Sequence, residues 1–289
     1  MTKAKYLSNA VKFHSSLDNL IKYSKADIFL ISTPNHTHYE IGSKLISNNR
    51  AVLFEKPVST NRSELLDLQK QIANSREFVS VALHAAYAQD VNWWIENQNI
   101  THKVGDLTGF NAGFFDPYIE HGKVISSGQG LGGSWIDSGI NALSVIGRFF
   151  APERLTISES RMTMLANDGF QAQGSALLQF NHNDGIGHGF IDTNWTLGIN
   201  RKTTRLWYQG ADILLHHSLE SVFKIEDKKM ILLKNLQGDK ARLTNHYISL
   251  FSELKKDYRN GNARLEHAVA LHEILFHAMD KTDNFQGFD

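Results

Sequence analysis

Ala26-Asp-Ile-Phe-Leu-Ile-Ser-Thr-Pro-Asn-His-Thr-His38 and, after a helical stretch, Ala51-Val-Leu-Phe-Glu-Lys-Pro57 decide how this chain folds. The run from Ala26 to Ser32 is apolar and rich in strand formers, Thr33-Pro34-Asn35 stops it, and Tyr39, Ile41, Leu45 and Ile46 follow at helical spacing. Ala51–Glu55 reads as a second strand ended by Pro57, and Asn61-Arg-Ser-Glu64 has the spacing of a capping box ahead of Leu65, Leu68 and Ile72. Phe78–Leu83 gives a third strand. Near-continuous apolar strands separated by helices predict a parallel sheet covered on both faces with right-handed crossovers.

Upstream of Ala26, Tyr6–Ser24 reads as the end of one helix, a short strand at Val11–His14 and a helix begun by Ser16. Beyond about residue 86 the pattern changes. A helix carrying Trp93 and Trp94 leads into Asp106–Phe115, and Ala172–Phe180, Gly187–Trp195, Thr203–Tyr208 and Asp212–His216 alternate as strands of an antiparallel sheet. Gly133–Phe150 reads as one helix, and Thr244–Tyr258 and Ala263–Met279 as two more. The expected class is α/β plus α+β: residues 1–85 carry a parallel sheet, and residues 86–289 a second unit with a mostly antiparallel sheet.

Composition narrows the function. With 30 basic against 30 acidic residues and no run of Lys or Arg, the chain lacks the footprint of a nucleic-acid binder. The absence of cysteine removes disulfides and thiolate chemistry, and the histidines show no ligand spacing, so no metal is expected. No apolar stretch approaches the roughly 18 residues of a membrane span, and Met1–Phe13 has no secretory order, so the expected location is the cytoplasm.

Parallel sheets bind ligands at the carboxyl ends of their strands. There stand Thr33-Pro34-Asn35 with His38, then Glu55-Lys56, then His84. A lysine at such a mouth can exchange a proton with a substrate hydroxyl, although a Glu-Lys pair there also reads as an ordinary solvated loop. In Gly132-Gly-Ser-Trp135-Ile-Asp137-Ser-Gly-Ile-Asn141, Asp137 and Asn141 share a helical face and offer a carboxylate and an amide to one ligand; the structural reading is a dipole partner and a solvated amide.

Taken together, the Thr-Pro-Asn-x-x-His loop, the Glu-Lys-Pro after a strand and the glycine-led segment with Asp137 resemble the Gfo/Idh/MocA family of oxidoreductases over most of the chain. The resemblance implies a partial, incomplete Rossmann-type domain over residues 1–85 and a substrate and dimerisation domain with an open, mostly antiparallel sheet over residues 86–289, with NAD or NADP held by Thr33, Pro34, Asn35, His38, Glu55 and Lys56, and a homodimer or higher oligomer through the second sheet. Many members carry His where Asn141 stands. Asp137-Ser-Gly-Ile-Asn141 is similar to the branch of galactose and arabinose 1-dehydrogenases, which implies hydride transfer from C1 of a cyclic aldose to give a lactone. Lys56 and Asp137 would then handle the O1 proton and Asn141 would orient a hydroxyl, with His84, Trp135, Asp192 and Trp195 as pocket walls.

One element of the family pattern is missing. No glycine precedes Gly42, so residues 1–25 contain no phosphate-cradling turn, and the chain is expected to begin after the first strand, first helix and second strand. Three accounts stay open: a truncated gene, a fragment completed by another chain, or a protein that has given up catalysis and senses sugar as a binding protein.

Overall fold

The computed structural model describes residues 11–98, 104–165, 169–182, 185–261 and 265–286. Helix α1 (Leu17–Tyr23) is capped by Ser16, whose Oγ accepts the Asn19 N–H at 3.2 Å. The strands β1 (Phe29–Ile31), β2 (Val52–Glu55) and β3 (Val79–Ala82) lie parallel in that order, joined by α2 (His38–Ser47) and α3 (Arg62–Ala73). The N-cap half of the expected capping box forms: Asn61 Oδ1 accepts the Glu64 N–H at 3.0 Å. Val11–His14 forms no strand. It has no partner strand among the described residues, and Val11 and Phe13 are 40% and 67% exposed, so there is neither ladder nor burial to hold it extended. The helix end predicted from Tyr6 to Ala10 lies outside the described residues, as do residues 263–264 of the predicted last helix.

Helix α4 (Gln89–Asn97) seats Trp94 in the core, its indole N–H donating to the Tyr208 hydroxyl at 2.9 Å. Beyond it lie β4 (Leu107–Phe115), the ribbon β5 (Ile119–Glu120) and β6 (Lys123–Val124), and then α5 (Ile140–Ile146). Strands β7 (Thr156–Met164), β8 (Gln171–His182), β9 (Gly185–Asn194), β10 (Arg201–Tyr208), β11 (Asp212–His216), β12 (Ser221–Glu226) and β13 (Lys229–Asn235) follow. Helices α6 (Arg242–Asn260) and α7 (Leu265–Asp280) precede β14 (Asp283–Gln286). Among the described residues the large sheet has the order β13-β12-β11-β10-β4-β9-β8-β7-β14. It is antiparallel except where β4 runs with β9 and β7 with β14.

The helix predicted as one piece over Gly133–Phe150 is divided. Trp135–Gly139 is a π turn, and the regular helix begins only at Ile140. Inside, the rings of Phe110, Phe150 and Phe180 meet at centroid distances of 4.5 to 6.4 Å. Position 189 must be glycine for this to happen, because a Cβ there would lie 2.0 Å from the Phe110 ring. Two helices join the sheets. Leu250 and Leu254 of α6 cover Leu53 and Ala82 of the small sheet, while α7 packs on α3 and β3 and, on its other side, on β7.

Candidate active site

Two strand ends of the small sheet reach the segment around the π turn: Lys56, after β2, meets Asp137, and Asn35, after β1, meets Leu131. Gly132 and Gly133 have φ of +85° and +103°, and a Cβ at Gly133 would come within 2.9 Å of the Gln171 backbone nitrogen, so only glycine lets the turn press against β8. The turn then presents Asp137. Lys56 Nζ is ion-paired with the Asp137 carboxylate and also faces the Asp137 carbonyl at 3.3 Å. These side chains are 12% and 8% exposed, so the pair sits nearly out of water yet opens on the site. Asn141 Nδ2 donates to the same carbonyl at 3.1 Å, while its Oδ1 is buried with no partner among the described residues. A group that can pass protons and an acceptor awaiting a donor stand side by side.

Four consecutive residues, Glu55 to Val58, are each held by a different element. Glu55 Oε1 accepts the Tyr247 hydroxyl of α6 at 2.7 Å; burial first, and then this bond, pushes the proton affinity of that hydroxyl up. Lys56 is held by Asp137 as described, and its peptide bond to Pro57 is cis. The Pro57 carbonyl meets His38 Nδ1 of α2 at 2.7 Å. The Val58 N–H donates to His272 Nε2 of α7 at 3.1 Å, and the other nitrogen of that ring lies 2.7 Å from the Ala268 carbonyl.

The Thr33–Asn35 loop is tied down in turn. Thr37 Oγ1 donates to the Pro34 carbonyl at 2.7 Å, and Asn35 Nδ2 donates to the Leu131 carbonyl at 2.9 Å, joining this loop to the glycine-rich segment before the π turn. His84, half-buried after β3, lies with Nδ1 3.4 Å from His246 Nδ1. Burial, and then the positive charges of Lys56, Arg242 and Lys202, press its proton affinity well below that of a free imidazole. His246 is driven down to about 4, by burial first and then by Arg242. Both rings are therefore neutral near pH 7.

Four sequence expectations are corrected here. His38 is fully buried, with Nε2 2.8 Å from the Thr33 carbonyl in addition to its Pro57 contact, so both ring nitrogens are engaged and neither is left for a cofactor. Trp135 is fully buried and donates to the Leu275 carbonyl at 3.0 Å, which makes it core. Trp195, also fully buried, lies behind Tyr118 with ring centroids 4.9 Å apart. Asp192 points away from the site. Its neighbour Thr193 reaches Ser134 Oγ at 3.3 Å on the helix side, and side chains alternate across a strand.

Other residues at the site escaped the sequence reading. Asp116, one residue past β4, pairs at 2.5 Å with Lys202 of β10, and both are buried. Tyr118 is half-buried, its phenol pushed up to about 12 by burial, then by Asp116 and Asp137. His246 and Tyr247 come from the first turns of α6. A signal existed for two of them: Asp116 ends a strand, and Lys202 shares the inward parity of Thr204 and Leu206.

Residues 2–83 match the Gfo/Idh/MocA oxidoreductase family, NAD-binding Rossmann fold. No curated protein matches the chain. Among solved structures it is similar to a 3-ketoreductase from Actinomadura kijaniata in complex with NADP and TDP-benzene, at 13% identity and a TM-score of 0.76, over 93% of this chain and 82% of that one. It is also similar to the UDP-N-acetylglucosamine 3-dehydrogenase of Acidithiobacillus ferrooxidans, at 13% identity and a TM-score of 0.70, over 93% and 81%. An NAD binding oxidoreductase from Klebsiella pneumoniae gives 14% identity and a TM-score of 0.75, over 91% and 80%. At these identities the likeness establishes the fold.

Proposed function

We propose that the chain is an NAD(P)-dependent oxidoreductase of the Gfo/Idh/MocA type that oxidises a cyclic sugar, at C1 of an aldose, to a lactone. The observation that carries this reading is the buried Lys56–Asp137 pair at the mouth of the small sheet, with Asn141 hydrogen-bonded to the same turn. The family match over residues 2–83 and the sugar-directed names of the similar structures support it.

The strand ends fit the nicotinamide half of the cofactor: Thr33, Pro34 and Asn35 form one wall, Glu55 and Lys56 the floor, and the unpartnered Asn141 Oδ1 marks a place for a ligand donor. No glycine-rich turn precedes Gly42, so no residue here is assigned to the pyrophosphate. When bound, NAD(P) supplies the hydride acceptor. The protein's own part is proton traffic and orientation. To let O1 become a carbonyl, Lys56 passes a proton to the Asp137 carboxylate and takes the O1 proton in its place, so the pair goes from neutral to one net positive charge as C1 is oxidised. Asn141 Oδ1 accepts a neighbouring sugar hydroxyl and fixes the ring, and His84, neutral, offers a further polar edge. Tyr118 keeps its proton at neutral pH and serves as a donor.

The test is NAD(P) reduction by the purified chain with galactose, arabinose and UDP-N-acetylglucosamine, with lactone identified by NMR. Turnover of a free aldose, abolished in Lys56→Ala, is expected. Turnover of UDP-N-acetylglucosamine alone would move the chemistry away from C1, and sugar binding without turnover would replace the enzyme by a sugar-binding protein.

A further inference from the structure

Asp137 is held in place by Lys56 and also, from behind, by the residue next to it. Ser138 Oγ donates to Asp116 Oδ2 at 2.9 Å and accepts the Trp195 indole N–H at 3.2 Å. The other Asp116 oxygen is bound at 2.5 Å by Lys202 Nζ, which also reaches Asn200 Oδ1 at 3.1 Å. Every member is inside: Ser138 and Trp195 have no exposed surface, and Asp116 and Lys202 are 5% and 8% exposed. The pair belongs to the large sheet, Lys202 in β10 and Asp116 just past β4, whereas Lys56 belongs to the small one. The π turn is thus gripped from both sheets.

We propose that Asp116 and Lys202 form a positioning pair that sets, through Ser138, where the π turn offers Asp137 to Lys56. Stability alone is a poor reason for such a pair. Removing two opposite charges from water costs as much as their attraction returns, and apolar side chains of the same shape would pack as well. Burial does press the proton affinity of Lys202 down, against the opposing pull of Asp116 and, more weakly, of Asp137. What the pair supplies is direction. The π turn departs from α-helical geometry at Asp137, and the two Ser138 contacts anchor it one residue from the reacting carboxylate. Small displacements at such a carboxylate reduce rates steeply.

This inference rests on the reading of Lys56 and Asp137 as the proton-handling pair, so the experiment has two arms. The first compares wild type with Lys202→Met, Asp116→Asn, Ser138→Ala and the charge-keeping Lys202→Arg, using NAD(P) and galactose or arabinose, whichever turns over. A drop in kcat of about 100-fold in Lys202→Met and Ser138→Ala is expected, with KM changed by less than about threefold and partial recovery in Lys202→Arg. Lys202→Met that folds with wild-type kcat would overturn the proposal, and so would an equal rise of KM and fall of melting temperature with no recovery by arginine.

The second arm needs no turnover and stands even if neither sugar is a substrate. Of the five tryptophans, Trp195 alone has its indole hydrogen-bonded to Ser138, so its indole signal in a proton–nitrogen spectrum reports on the turn. Movement of that signal in Lys202→Met and Asp116→Asn, with those of Trp93 and Trp94 unmoved, supports the linkage. A stationary Trp195 signal in both variants refutes it.

Discussion

Lowering the pH from 7.5 to 5 is expected to remove a large part of the stability of this protein through two buried histidines. His272 has no exposed surface, and its two nitrogens are used in opposite senses: Nε2 accepts the Val58 N–H, which leaves Nδ1 to donate to the Ala268 carbonyl. That arrangement is the neutral ring, and burial pushes its proton affinity down to about 4. His246, 1% exposed, is likewise at about 4. In the unfolded chain each titrates near 6.5, so below that pH the unfolded state binds more protons than the folded one. The stabilisation is complete above about 6.5 and is lost as pH falls towards 4. Linkage between those two values gives about 2 kcal/mol per ring between pH 7.5 and 5, hence about 4 kcal/mol for the pair, and His84 acts in the same direction. Against a total of about 5–15 kcal/mol this is a major fraction. Urea unfolding followed by tryptophan fluorescence at pH 7.5, 6 and 5 measures the loss. His272→Gln, whose amide can imitate both hydrogen bonds but cannot titrate, should show about half the wild-type loss. If wild type and variant lose the same amount, the neutral buried ring is not the cause, and the assignment of His272 fails.

Two further outcomes follow from the packing. His38→Ala removes the bridge between the Thr33 and Pro57 carbonyls, and should lower stability by about 2 kcal/mol in the same urea assay while weakening NAD(P) binding by calorimetry; unchanged stability would contradict a bridging role. The large sheet ends in β13, where Met230, Ile231 and Leu232 are 61%, 47% and 54% exposed, an apolar edge of the kind that associates. A homodimer through this sheet predicts that Met230→Glu with Leu232→Glu shifts the mass measured by light scattering to that of one chain, and a wild type already at the mass of one chain would rule it out.

The small sheet was legible because its strands are unbroken apolar runs punctuated by Thr33-Pro34 and Pro57, where physics allows few alternatives. The large sheet was half legible. Strand β7, Thr156-Ile-Ser-Glu-Ser-Arg-Met-Thr-Met164, carries too few apolar residues to stand out, and β13 is exposed along most of its length. At the site, Lys56 and Asp137 could be found because strand ends and glycine-led turns are places to look. Asp116 and Lys202 meet across 86 residues of chain, a contact that no local pattern encodes. The misplaced pocket walls share one cause. A tryptophan or an aspartate near a site carries no mark of the face it occupies, and a single step along β9, from Thr193 to Asp192, reverses it.

How the chain fixes Lys56 bears on the proposed chemistry. A lysine on a loop has four rotatable bonds and a strongly hydrated head, a poor starting point for proton transfer at a defined atom. Here the backbone that carries it is clamped on both sides, by α6 at Glu55 and by α2 and α7 at Pro57 and Val58, and the ammonium itself is met by Asp137. Three of these four clamps come from residues more than 80 positions away. A solvated loop would have no need of them. Ordering of this kind lowers the entropy that a substrate hydroxyl must overcome to reach the reacting nitrogen, which is how a fixed site gains rate. The same geometry explains why acid should disable the site along with the fold: protonating His272 releases Val58, and with it one side of the turn that aims Lys56.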